Sequence, residues 1–202
     1  MTHSGTLEDV RHLYTSEGFT WLDALGFESG YHLVMPTDRA VALGIARIAD
    51  LAALSQGIRI AAPASYLRRP GDGLSALFRR HGLRLRGQVL ILDNVEERLL
   101  ALSNGQADVM VVRSTNGYLR NLSLTTLQDT LSFFPPYEAA VAARMTVLEA
   151  HPNLRQTLSI LHDQFSQEIM QQLNFEVSVE GWPPAVVAHR LSQSMRATRS
   201  GC

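Results

Sequence analysis

Residues 58-IRIAA-62, 88-QVLIL-92 and 107-ADVMVV-112 are three short apolar runs, rich in the β-branched side chains that strands favour. Between them lie two segments with helical character, Gly73–His81 and Asn94–Ser103, each followed by a glycine that can end a helix. The order strand, helix, strand, helix, strand with short turns is typical of βαβ units. It predicts a parallel sheet covered by helices, which is an α/β fold.

The flanking segments add predicted elements on both sides. Those before the apolar runs are a helix, two strands and a short helix, at Leu7–Thr15, Phe19–Leu22, Tyr31–Met35 and Ile48–Leu54. Those after residue 131 are a strand and three helices, at Ala139–Arg144, Asn153–Asp163, Ser166–Leu173 and Pro184–Ser194. Asp72 is the predicted N-cap of the helix that begins at Gly73.

Composition narrows the class of protein. The 202 residues include 18 basic residues, all of them arginine, against 19 acidic ones, so the net charge is −1. Because a nucleic-acid binder normally carries a basic stripe, we expect no nucleic-acid partner.

The only cysteine is Cys202, so no disulfide can form within the chain. Residues 1–8 are polar and contain no signal-peptide core, which predicts a cytoplasmic chain unless a leader precedes them.

No constellation of catalytic residues stands out. The seven histidines never occur at the i, i+4 spacing of a helical metal site, and no Gly-x-Ser-x-Gly elbow is present. The segment Gly71-Asp72-Gly73 is too short for a nucleotide-binding loop. The sequence therefore predicts a binding protein rather than an enzyme, without a metal or another cofactor.

A series of motifs resembles one known family. The segments 21-WLDALGF-27, 66-YLRRPGDGL-74, 101-ALSNGQADV-109, 114-STNG-117 and 133-FFPPYEAA-140 occur in an order and at a spacing similar to those of the substrate-binding components of ABC transporters for glycine betaine, choline and related solutes. The resemblance covers most of the chain and corresponds to the C-terminal two-thirds of the family's domain.

The resemblance implies a periplasmic-binding-protein type 2 fold, with one complete lobe and one partial lobe. Residues 30–133 are expected to form the complete α/β lobe. Residues 1–29 and 134–202 are expected to form the partial lobe, whose C-terminal part is rich in helices. The implied function is capture of a quaternary-ammonium osmoprotectant between the lobes for an ABC permease. The implied location is periplasmic or membrane-associated.

The same resemblance assigns five ligand-binding residues. Tyr31 and Tyr137 match tyrosines that enclose the quaternary ammonium, where the attraction is of the cation–π type. Arg69 matches the arginine that meets the ligand's carboxylate. Thr115 belongs to the STNG segment. Arg113 stands where the family commonly has an aromatic residue, and its charge would repel a quaternary ammonium.

Two consequences follow from the departures from the family pattern. We expect Glu28 to neutralise Arg113 if the arginine points into the cleft. The family's N-terminal half-lobe has no counterpart in this chain, so the apolar faces of the last three helices lack their usual cover. Another chain, such as a second copy in a homo-oligomer, is expected to cover them.

Two other interpretations remain open from the sequence alone. The first is a truncated or degenerate homologue with a sensory or structural role and no quaternary-amine binding. The second is the effector domain of a transcriptional regulator, which shares this fold class but predicts a DNA-binding element. A binding assay with glycine betaine, choline, carnitine and ergothioneine distinguishes the first from a transport receptor.

Overall fold

The computed structural model describes residues 6–54, 57–84, 86–120 and 123–200, with side chains up to residue 196. A mixed five-stranded sheet forms its centre, with the strand order β4-β3-β5-β2-β6. The strands of this sheet are β2 (Tyr31–Pro36), β3 (Ile60–Ala62), β4 (Val89–Ile91), β5 (Val109–Arg113) and β6 (Leu124–Thr126).

The pairing within this sheet confirms the predicted βαβ pattern. Strand β3 pairs in parallel with both β4 and β5, and helices follow β3 and β4 before the chain re-enters the sheet. Strand β2 adds to β5 in antiparallel orientation, and β6 adds to β2 in the same way. Strands β3 and β5 are buried on both faces of the sheet, which explains why their sequences are continuous apolar runs.

The helices near this sheet are α2 (Thr37–Leu43), α3 (Ala64–Leu67), α4 (Leu74–Arg80) and α5 (Val95–Ser103), with 3₁₀ turns at Ile48–Ala53 and Gly117–Arg120. Helices α4 and α5 are shorter than predicted, and α2 and α3 were not predicted from the sequence. The side chain of Asn94 caps α5. The prediction that Asp72 caps α4 is wrong, because Gly73 precedes that helix without a side-chain cap. Asp72 instead forms an ion pair with Arg69.

A second sheet is a two-stranded antiparallel ribbon of β1 (Phe19–Glu28) and β7 (Glu138–Arg144). Strand β1 runs six residues beyond its predicted end at Leu22, because β7 supplies backbone partners as far as Glu28. The pairing of the two strands contains two irregularities in register. The helices packed around the ribbon are α1 (Leu7–Thr15), α6 (Met145–Ala150), α7 (Asn153–Ser159), α8 (Gln167–Ser178) and α9 (Pro184–Ser200). Sequence periodicity did not predict α6.

The hydrophobic core lies almost entirely around the five-stranded sheet. Its two clusters occupy the two faces of that sheet and include Leu33 and Val109 on one side and Val34 and Met110 on the other. Helices α6, α7 and α8 bury no residue fully, and large apolar side chains in this part, such as Trp182, stay exposed. In the described part of the chain, no helix combines the length and apolar character needed to cross a membrane.

Asp108 ties together the amino ends of two parallel strands. Its buried carboxylate accepts hydrogen bonds from the backbone N–H and the guanidinium of Arg59, and it forms a second ion pair with Arg39. Burial raises the pKa of Asp108, but the hydrogen bonds and charges of the two arginines outweigh burial, so its pKa lies below the usual range. This network explains the aspartate in the 101-ALSNGQADV-109 motif.

One face of α8 connects the ribbon with the five-stranded sheet. Three amide side chains, spaced three or four residues apart along the helix, form hydrogen bonds with backbone atoms. Gln167 accepts a hydrogen bond from the N–H of Glu28 at 3.2 Å. Gln171 donates to the carbonyl of Ser114 at 2.8 Å, and Asn174 donates to that of Thr115 at 2.7 Å. The backbone of Phe175 lies so close to Gly117 that a Cβ there would be 2.4 Å from the Phe175 nitrogen.

The contact at Gly117 generates a stability prediction. Gly117→Ala should lower the free energy of unfolding by about 2 kcal/mol, because the added methyl group overpacks the junction with α8. Chemical denaturation of the whole chain measures this loss. Gly71→Ala is the matched control, since its Cβ would meet no atom within 4 Å, and it should change stability by less than about 0.5 kcal/mol. Equal midpoints for the two variants would contradict the packing described here.

Candidate ligand-binding site

The candidate site is a cavity of about 570 Å³ where β2 meets the return segment Phe133–Tyr137 and the start of α8. Its apolar walls include Leu33, Ile48 and Phe134, and its polar groups include Glu28 and Gln167. A volume of this size with apolar walls and a few polar groups is typical of small-molecule sites. The cavity therefore has the dimensions for a small organic solute.

Tyr31 begins β2 and forms the centre of an aromatic cluster at this cavity. Its ring centroid lies 4.6 Å from that of Tyr66, 6.5 Å from that of Phe134 and 6.4 Å from that of Tyr137. Tyr137 stands edge-on to Tyr31, with an interplanar angle of 89°. Although Tyr31 lines the cavity, it is only 4% exposed. Most of its surface is thus already in contact with protein.

Arg69 joins the cluster through an ion pair that orients Tyr137. Its Nε donates to Asp72 Oδ1 at 2.7 Å, and its Nη2 donates to the other carboxylate oxygen and to the Tyr137 hydroxyl, the latter at 3.2 Å. The Tyr137 hydroxyl in turn donates to Asp72. The pKa of Arg69 is raised, chiefly by its hydrogen bonds with Asp72. Arg69 thus remains charged and holds the tyrosine in place.

Arg113 lies on the ring of Tyr31. Its Cζ is 4.2 Å from the ring centroid, within the range of a cation–π contact, and its Nη1 donates to the carbonyl of Ser29 at 2.9 Å. The expected ion pair with Glu28 is not formed between these two described residues, because the guanidinium turns toward the Ser29 carbonyl instead. Four of the five predicted ligand-binding residues therefore form one cluster.

The fifth predicted residue, Thr115, does not join this cluster. Its backbone carbonyl accepts the hydrogen bond from Asn174 of α8 described above. The preceding residue, Ser114, does line the cavity, and its hydroxyl donates to the carbonyl of Glu28 at 2.9 Å. The segment that contains Thr115 thus shapes the cavity wall through its backbone.

Asp129 fixes the return segment that carries the aromatic residues. One of its carboxylate oxygens accepts from the backbone N–H groups of Phe133 at 2.6 Å and Phe134 at 3.3 Å. The other accepts from Leu131 N–H at 3.2 Å and lies 3.2 Å from Nε2 of His81, whose side chain is fully buried. One carboxylate thereby sets the path of the chain into Tyr137.

Sequence reasoning missed several residues of this site. Tyr66 is fully buried beneath Tyr31, and its hydroxyl has no hydrogen-bond partner among the described residues. Burial, reinforced by the charge of Asp72, raises the pKa of Tyr66. The signal was the spacing of Tyr66 three residues before Arg69, which places both on one side of a helical turn. Asp72 and Asp129 gave no sequence signal beyond helix capping and turn formation.

The site offers no obvious means of holding a metal. Among the described residues, no group of three or more His, Cys, Asp or Glu side chains is arranged to bind a metal ion. His32 lines the cavity, and burial lowers its pKa, which favours the uncharged imidazole. What the arrangement does offer is aromatic surface, two guanidinium groups and hydrogen-bond donors, which suit non-covalent binding of a charged organic molecule.

Comparison with solved structures defines the class of fold. The structure of a glycine betaine/carnitine/choline ABC transporter component superposes with a TM-score of 0.77 at 28% identity, covering 94% of this chain and 69% of that one. A choline-binding protein of an ABC transporter, solved with choline, gives a TM-score of 0.65 at 17% identity. The fold is thus that of type 2 periplasmic binding proteins, as predicted, and this chain covers 69% of the first structure and 68% of the second.

The family follows from the sequence itself. Residues 3–193 match the model of the substrate-binding domain of ABC-type glycine betaine transport systems, and the chain belongs to this family. It is 29% identical to the carnitine transport binding protein OpuCC of Listeria monocytogenes, over 86% of this chain and 56% of that protein. It is 30% identical to a glycine-betaine-binding protein of Pseudomonas aeruginosa, over 89% of this chain and 60% of that protein. The chain thus spans little more than half the length of these relatives.

The role of Asp129 generates a prediction about local dynamics. Asp129→Ala should increase amide hydrogen exchange in residues 131–134 by about tenfold, because a charge-assisted hydrogen bond contributes at least about 1.5 kcal/mol. Exchange measured by NMR or mass spectrometry tests this. Asp93→Ala is the control, because Asp93 accepts one such bond from Ala64 and should affect only that site. Unchanged exchange at Phe133 and Phe134 would show that Asp129 does not hold the segment.

Proposed function

We propose that this chain is a solute-binding protein, or a large part of one, that captures a quaternary-ammonium osmoprotectant for an ABC importer. Membership of the glycine betaine-binding family supports the proposal. The observation that carries it is the aromatic and arginine cluster of Tyr31, Tyr137 and Arg69 beside a 570 Å³ cavity. The ligands in question are of the glycine betaine, choline and carnitine type.

Binding is proposed to be non-covalent. The edge-on packing of Tyr137 against Tyr31, together with Phe134, brings aromatic surface to the cavity, and each ring contact with a cation contributes about 0.5–2 kcal/mol. Among the described residues that line the cavity, no nucleophile–base pair of the kind that covalent chemistry requires is formed. We therefore propose a role in transport without enzymatic activity or a cofactor.

The two sheets correspond to the two proposed lobes. We propose that residues 30–133 form the complete lobe and that residues 1–29 and 134–202 contribute to the other. The chain passes between them at Glu28–Gly30 and again at the return segment, so the cavity lies at both crossings. Rotation of the lobes about these crossings would close the site over the ligand, as hinge closure does in other binding proteins. The closed form would be presented to a membrane permease, outside the cytoplasm.

We still predict that a second copy of this chain covers the exposed apolar side chains. Large side chains such as Ile160, Ile169 and Trp182 are 38–48% exposed around the ribbon, where helices α6, α7 and α8 bury no residue fully. Light scattering of the purified chain should give about twice the mass of 22.3 kDa. A monomer that remains monodisperse across the concentration range would contradict the prediction.

Calorimetric titration of the purified chain with glycine betaine, carnitine, choline and ergothioneine tests the proposed function. We expect saturable binding of at least one of these ligands, and about tenfold weaker binding for Tyr137→Leu, which loses one aromatic contact. Tyr137→Phe keeps the ring but loses the contacts of the hydroxyl with Arg69 and Asp72, so its affinity should lie between those of the intact chain and Tyr137→Leu.

The matched control for Tyr137→Leu is Tyr118→Leu. Tyr118 is partly buried and bonds to Glu96, away from the cavity, so its loss should leave affinity unchanged. If the intact chain binds none of the four solutes, the proposed function is wrong and a sensory or structural role without quaternary-amine binding takes its place.

A further inference from the structure

A second cavity lies at the opposite end of the five-stranded sheet from the aromatic cluster. Its volume is about 600 Å³, and the described residues that line it include none of those that line the cavity at Tyr31. Strand β5 runs from one cavity to the other, since Asp108 directly before the strand lines the second and Ser114 directly after it lines the first. The proposed function makes no use of the second cavity.

The charged side chains around the second cavity are mostly basic. Its described lining contains three arginines and one acidic residue, which are Arg39, Arg59, Arg86 and Asp108. The Asp108 side chain is only 3% exposed and pairs with the guanidinium groups of Arg39 and Arg59, whose side chains are 35% and 39% exposed. The arginines therefore cover the carboxylate. The formal charge of this lining is +2, whereas the whole chain carries −1.

The buried carboxylate of Asp108 holds the guanidinium of Arg59 in a fixed orientation. Arg59 donates from Nε to Oδ2 at 3.1 Å and from Nη2 to Oδ1 at 2.6 Å, and its Nη1 donates to the carbonyl of Gly105 at 2.5 Å. Each Nη nitrogen carries two hydrogens, so each keeps one N–H for a further acceptor. Because the side chain is already ordered, it loses little freedom when it binds an anion.

The third arginine, Arg86, lies beside Arg59 because two glycines allow a close approach of the backbone. A Cβ at Gly57 would collide with the carbonyl oxygen of Arg86, and one at Gly87 would collide with that of Ile58. The backbone of Arg86 thus packs directly on the segment that leads into Arg59 and β3. Arg86 is exposed, and its guanidinium forms no ion pair or hydrogen bond with the other described residues. Its charge is therefore available to a ligand.

The second cavity also offers apolar surface. Leu43 of α2, which is 44% exposed, and Leu54 both line it. A smaller cavity of about 280 Å³ adjoins it, since the two share Leu54 and Arg86, and this one adds a fourth arginine, Arg84. The combined groove has room for an anionic group together with an attached organic part.

We propose that this groove binds a phosphomonoester, with the phosphate group at Arg39, Arg59 and Arg86 and the organic part against the two leucines. A phosphomonoester carries a charge of about −1.5 to −2 near neutral pH, which matches the formal charge of the lining, whereas a monocarboxylate would neutralise half of it. Guanidinium groups bind phosphate oxygens through paired N–H groups. Soluble molecules and lipid headgroups both carry phosphomonoesters, and the experiment separates these two sources.

The first arm of the test is an NMR titration of the isotopically labelled whole chain with phenyl phosphate in a phosphate-free buffer. Saturable shifts are expected for the backbone amides around the second cavity, those of Arg39, Arg59, Gly87 and Asp108. Benzoate, which has the same ring and a single negative charge, should bind at least about tenfold more weakly. Arg86→Gln should weaken phenyl phosphate binding about tenfold, since it removes one guanidinium.

The matched control is Arg155→Gln. It removes the same charge from an exposed position on α7, beside the ribbon, and should leave the affinity for phenyl phosphate unchanged. The amide spectrum of each variant shows whether it is folded. Should Arg86→Gln fail to fold, Arg39→Gln replaces it, because Asp108 keeps its hydrogen bonds with Arg59.

The second arm is sedimentation with vesicles of phosphatidylcholine, with and without phosphatidic acid. Sedimentation that requires phosphatidic acid and is lost in Arg86→Gln would assign the phosphate to a lipid headgroup, and binding of phenyl phosphate alone would assign it to a soluble molecule. Binding in neither arm, equal affinity for benzoate and phenyl phosphate, or equal losses in Arg86→Gln and Arg155→Gln would overturn the proposal. None of these results bears on glycine betaine at the Tyr31 cavity.

Discussion

The contact on which the site depends is the ion pair of Arg69 with Asp72, shared with the hydroxyl of Tyr137. Arg69 and Asp72 follow β3 of the five-stranded sheet, whereas Tyr137 immediately precedes β7 of the ribbon, so these contacts join the two sheets across the cavity. A partly buried charge needs such partners, and removal of one would leave the other uncompensated. The same contacts set the orientation of an aromatic wall.

The remainder of the site is organised by backbone anchoring. Asp129 accepts hydrogen bonds from two N–H groups of the return segment and from that of Leu131 just before it. The amide side chains of α8 hold Glu28 and the turn after β5. Because both chain crossings are fixed in this way, Arg113 reaches the Tyr31 ring from the end of β5. The result is a cluster with two arginines and one paired aspartate, whose unneutralised charge lies at Arg113.

Sequence patterns predicted the three parallel strands of the five-stranded sheet, because βαβ order and two-sided burial leave a strong apolar signal at Ile60–Ala62 and Val109–Arg113. They did not predict β6 or the antiparallel pairing of β2 and β6. They predicted helices less well where burial is weak, as at Met145–Ala150, which buries no residue. The family resemblance, and no local sequence pattern, predicted that Tyr31, Arg69 and Tyr137 belong to one site. The contacts of Asp72 with Tyr137, of Arg113 with Ser29 and of Gln167 with Glu28 were not predictable, since these partners lie 65 to 139 residues apart in sequence. Such contacts depend on how the two sheets meet, which local patterns do not encode.

An NMR titration of the isotopically labelled chain with glycine betaine tests the central claim most directly. The account predicts saturable shifts for the backbone amides of Gly30, Ser114 and Tyr137, which line the cavity. It predicts no shift for the amide of Asp108, at the opposite ends of the parallel strands. Shifts confined to the region of Asp108, or no saturable shift at the cavity with glycine betaine or any related quaternary amine, would contradict the account.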